Sequence, residues 1–135
     1  MLISIPWDAA APALLYSEAG IGLPVLCLAM LIIIGIESLA LLQLKWGTFK
    51  RAVLCSIVMN LITYLIGIGV VLFTLEMGLW GLLIDFVISA VVEFIILMMF
   101  KRGAMRENWN AALTVNAASY LLVILPLYLY FGLLK

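Results

Sequence analysis

The sequence predicts an all-α integral membrane protein, with four transmembrane helices built as two tandem helical hairpins. Three observations predict it. Of 135 residues, 68% are hydrophobic and 10% charged, with a mean hydropathy of +1.34, whereas a water-soluble domain carries about 25% charged residues and about half apolar ones. Apolar runs of the length a bilayer requires, about 20 residues per helix, recur between charged or turn-forming links. The chain also matches itself when shifted by 56 residues.

Residues 1–21 begin MLISIPWDAAAPALLYSEAG, with no Lys or Arg. The positively charged start of a cleavable signal peptide is missing, so an uncleaved extracytoplasmic segment is expected. Asp8 before the alanines suits the cap of a short interfacial helix anchored by Trp7 and Tyr16, and Pro12 limits its length. Residues 22–135 form the membrane domain. The spans are about 22–44, 52–74, 79–100 and 110–132, linked by KWGTFKR, LEMG and KRGAMRENW. Links this short make successive spans antiparallel. Pro24 and Pro126, in the outer turns of the first and last spans, are places where those helices end or kink.

Lys45, Lys50, Arg51, Lys101, Arg102 and Arg106 all fall in the first and third links, whereas the amino-terminal segment and second link carry Asp8, Glu18 and Glu76. By the positive-inside rule the basic links are cytoplasmic and both termini extracytoplasmic, in a cytoplasmic (inner) membrane; Lys135 is the exception. The same six cations are candidates for anionic lipid headgroups. Trp7, Trp46, Trp80 and Trp109 stand at span ends, where an indole buries its ring and keeps its N–H wet. Cys27 and Cys55 fall near opposite ends of adjacent spans, too far apart for a disulfide, and are expected as free core thiols. The seven methionines read as adaptable packing.

The self-match divides the membrane domain into repeat 1, about 22–74, and repeat 2, about 78–132. IGIESLALLQLKWG falls over AVVEFIILMMFKRG, and SIVMNLITYLIG over ALTVNAASYLLV. The rare polar residues are in register: Glu37 on Glu93, Lys45 on Lys101, Gly47 on Gly103, Asn60 on Asn116, Thr63 on Ser119 and Tyr64 on Tyr120. Each unit holds two spans, so both copies enter the membrane in the same direction. That makes a parallel repeat about a pseudo-twofold axis along the membrane normal.

Glu37 lies eight residues before Lys45, and Asn60 nine after Arg51. Both therefore sit roughly 12–14 Å inside the basic boundary at about 1.5 Å per residue. Glu93 and Asn116 repeat the arrangement. Exposing a carboxylate to lipid costs at least ~2.5–3.5 kcal/mol, and an asparagine amide is a ready donor, so mutual pairing inside the bundle is expected. Ser56, Asn60, Thr63 and Gly67 share a face of the second span with Tyr64 at its edge, as Ala112, Asn116, Ser119 and Tyr120 do on the fourth. Small polar stripes of this kind bring transmembrane helices into close contact. Asp85, Ser89 and Glu93 recur along one face of the third span, where the first has Ala29, Ile33 and Glu37. They mark either a proton or cation path or a wet contact with a partner helix.

Net charge is formally zero, so no global field draws nucleic acid. Without histidine or a Cys-x-x-Cys pair, no metal site, haem, iron–sulfur cluster or other cofactor is expected. No nucleophile–base pair or nucleotide loop stands out, and no catalytic residue is assigned. The first functional expectation is an accessory or structural subunit packing into a larger membrane complex through the Glu/Asn layer. The alternative is an oligomeric proton- or cation-coupled transporter or ion pathway using Glu37, Glu93 and Asp85, oligomeric because four helices leave little room for a channel.

Overall fold

The computed structural model describes residues 22–74, 77 and 79–133. The expectations for residues 1–21, with Trp7, Asp8, Pro12, Tyr16 and Glu18, and for Glu76 and Lys135 lie outside the described residues. Helix α1 spans Gly22–Gln43, α2 Phe49–Thr74, α3 Leu79–Phe100 and α4 Met105–Ser119. The fourth rod continues through a π-helical turn, Tyr120–Ile124, into α5, Leu125–Leu133. Three helical stretches are long and apolar enough to cross a membrane: Phe49–Gly67, Trp80–Phe100 and Met105–Tyr130. In α1 the described apolar stretch, Cys27–Gln43, is shorter.

The helices form a ring in chain order, α1 on α2, α2 on α3, α3 on α4, and α4 back on α1. Both basic links lie at the same end of this ring, because Lys101 Nζ donates to the Trp46 carbonyl, 3.3 Å away. Both hairpin turns therefore point the same way, as the charge pattern requires. The core is concentrated at this basic end, where Leu41, Trp46, Ala52, Cys55, Met59, Ile96, Leu97, Ala111, Ala112 and Val115 make one cluster.

Helix α1 ends on Lys45 in a left-handed conformation (φ 53°). Lys45 N–H donates to the Leu42 carbonyl at 2.9 Å and Trp46 N–H to that of Leu41 at 3.0 Å, which satisfies carbonyls that the helix end leaves open. The turn swings the Trp46 ring under the bundle, where it is 2% exposed. Its indole N–H is donated to Asn108 Oδ1 at 2.7 Å, so the expected wet interfacial anchor is instead a buried plug. The reason is packing: Arg51 and Lys101 lie over the indole face, 5.5 and 5.9 Å from the ring centroid, and Asn108 replaces water as acceptor. Trp80 and Trp109 are exposed, and Trp109 meets Phe94 edge to face at 4.9 Å.

Pro126 does not end the last helix. The π turn ends two residues before it, at Ile124, in keeping with a residue that lacks an N–H and crowds the carbonyl four residues back. Val70 occupies the matching position of α2, which stays regular through Thr74. Cys27 also departs from expectation: both thiols are free, but Cys27 is exposed and only Cys55 is in the core.

Candidate functional site: a cavity floored by two Glu–Asn pairs

Above the dense core, in the half of the bundle away from the basic links, the helices line a partly open cavity of about 510 Å³. Its floor is the layer the sequence points to. Asn60 Nδ2 donates to Glu37 Oε2, and Asn116 Nδ2 donates to Glu93 Oε2. Each amide also donates to the carbonyl one turn earlier in its own helix, Asn60 to Ser56 at 2.9 Å and Asn116 to Ala112 at 3.1 Å. A two-donor amide thus has one hydrogen on the helix and one on the acid, which fixes its rotamer. Glu37, Glu93 and Asn116 are 1–2% exposed, and all four side chains contribute to the cavity lining.

The two pairs differ in support. Glu37 Oε2 also accepts from Ser56 Oγ at 2.9 Å. Glu93 has Asn116 as its side-chain donor, because Ala112 stands where α2 has Ser56. Among the described residues no hydrogen bond reaches Glu93 Oε1. Glu37 and Glu93 are within electrostatic reach of each other, so the floor is one joined layer across both hairpins.

Every other member of the expected layer lines this cavity: Thr63, Tyr64, Ser119 and Tyr120. Thr63 Oγ1 returns its proton to the Met59 carbonyl at 2.8 Å, and Ser119 Oγ to that of Asn116 at 3.1 Å. Asp85 and Ser89 lie on the wall with Glu93 below them. The Tyr120 ring meets Phe86 edge to face at 5.2 Å.

One expectation is corrected here. The small stripe of α2 does not bring helices into contact at its outer end, since a Cβ built on Gly67 meets nothing within 4 Å. Gly67 lines the cavity instead.

Of the candidate headgroup cations, Lys45, Lys50, Arg102 and Arg106 are exposed, whereas Arg51 is half-buried over Trp46. Lys101 is ion-paired with Glu107 and bonded to the Trp46 carbonyl, so it closes the basic end. Asn108, which sequence reasoning missed, is the centre of this closure. It accepts from Trp46 and donates to the Lys101 carbonyl at 2.7 Å and to Met98 Sδ at 3.1 Å. The available signal was a polar residue late in the third link that a shift of 56 residues sets against Ala52.

Comparison with protein-family models, with curated proteins and with solved structures finds no match for this chain. The functional reading therefore rests on the cavity itself.

Proposed function

We propose that the chain is a small polytopic membrane protein of four spans, a tandem duplication of one hairpin, and that it works as a proton- or cation-coupled transporter. Its coupling groups are Glu37 and Glu93. Its basic links face the cytoplasm, and its termini lie outside. The observation that carries the reading is the placement of both Glu–Asn pairs on the floor of one cavity. A clip that served only to fix helix register would gain from being packed on all sides, because a void beside a buried polar layer forfeits contacts. The duplication is supported by the recurrence of the same amide-to-acid and amide-to-backbone bonds in each hairpin. The closed end, with Trp46 wedged against Asn108, suits a state that opens toward the other side.

The test is reconstitution in liposomes carrying a pH gradient. Wild type dissipates the gradient, and Glu37→Gln and Glu93→Gln each abolish this, because glutamine keeps size and hydrogen bonding but carries no exchangeable charge. Variants equal to wild type overturn the transport reading. A stable co-purifying membrane partner with no flux favours the accessory subunit instead.

A further inference from the structure

The cavity has a chemical bias that the coupling role leaves unused. Among the described residues its lining contains three acidic side chains, Glu37, Asp85 and Glu93, and no lysine or arginine. Its upper walls are apolar, with Met30, Ile33, Leu82, Ile88 and Ile124 among them. A volume of about 510 Å³ falls in the range of sites that enclose small organic molecules, roughly 300–1,000 Å³. Glu93, 2% exposed, presents Oε1 with no donor among the described residues, and buried acceptors are rarely left in that state.

We propose that the cavity binds a lipophilic primary amine as its ammonium ion, the head seated between Glu37 and Glu93 and the apolar body along the α1, α3 and α5 walls. An ammonium group carries three donors and no acceptor on a compact charge. It supplies both a donor for Glu93 Oε1 and positive charge beside two acids that have no cation among the described lining residues. An anion meets three acidic side chains and no cation among the described lining residues, and a neutral hydrocarbon leaves the buried acceptor unpaired. A metal ion is poorly served, since among the described residues no three acidic, cysteine or histidine side chains converge. The walls take the organic portion by burial of apolar surface.

The assignment rests on the transport reading, and the experiment separates the two. The full chain in lipid nanodiscs is titrated with tritiated 4-phenylbutylammonium, with empty nanodiscs as background and 4-phenylbutanol as the neutral competitor. The expected result is saturable binding, at least tenfold weaker in Glu93→Gln, and resistant to an equal concentration of 4-phenylbutanol. Gly67→Leu, which grows a side chain from an uncrowded wall position, lowers affinity by a similar factor without touching the acids. It decides the matter if Glu93→Gln fails to fold. Absence of saturable binding to wild type overturns the proposal, as does wild-type affinity in both variants or equal displacement by the alcohol. Lost binding with glutamate-dependent proton flux retained removes the amine and leaves the transporter. Glutamate-dependent binding without flux leaves the amine site and removes transport.

Discussion

At the basic end Leu41, Trp46, Cys55, Met59, Leu97 and Val115 are each no more than 2% exposed, whereas past the Glu37/Glu93 layer Gly67 looks onto empty space. The same four rods make both regions. The difference lies in what fills the axis. One end has a large ring held by a buried amide and two overlying cations; the other has a cavity lined by Ala29, Gly67 and Ser89 among larger apolar side chains. The glutamate–asparagine layer is the boundary between them, so stability and ligand chemistry are assigned to different halves of one bundle.

Substitutions can break or sharpen that contrast. The largest effect is expected from Trp46→Ala, which removes a fully packed ring and leaves the Asn108 acceptor without its donor. A loss of about 3–5 kcal/mol is predicted, the range for emptying a buried aromatic site, read as a fall in the midpoint of thermal unfolding in detergent. A change below about 1 kcal/mol would mean that the ring is wet.

At the boundary, Asn116→Leu and Asn60→Leu should loosen the bundle by about 0.5–2 kcal/mol, the scale of an interhelical hydrogen bond in a bilayer. Asn116→Leu should cost more, because Glu93 then loses its donor, whereas in Asn60→Leu Glu37 retains Ser56. Equal stability of both variants with wild type would place these amides toward lipid or water. In the hollow half, Gly67→Ala should be neutral or stabilising by up to about 1 kcal/mol, since the helix gains from losing glycine and the added methyl meets nothing. Marked destabilisation would show a close helix contact where the cavity is drawn.

Much of the boundary was legible in the sequence, and the two regions it divides were not. Acids and amides are rare in apolar spans, so Glu37, Asn60, Glu93 and Asn116 stand out, and their equal distances from the basic links set a common depth. The hollow was hidden because a stripe such as Asn60, Thr63 and Gly67 equally suits close packing or an open wall. Which one occurs depends on what the facing helix presents. The plug was hidden because Trp46 and Asn108 lie far apart in sequence, and the 56-residue shift sets them against Arg102 and Ala52. An indole near a membrane boundary ordinarily stays wet, and only the turn at Lys45 directs this one inward. The π turn at Tyr120 was legible only as a proline-disturbed helix end.

The central claim is an acid-lined cavity inside the bundle, and cysteine accessibility tests it directly. In a Cys27→Ala background in proteoliposomes, Ser89→Cys is to be treated with a cationic aminoethyl and an anionic sulfonatoethyl methanethiosulfonate, beside Leu121→Cys on the outer surface, where the native leucine is 63% exposed. Fast modification at position 89 by the cationic reagent alone, with position 121 inert to both, is the predicted result. Silence at 89, or equal rates with the two reagents, would contradict it.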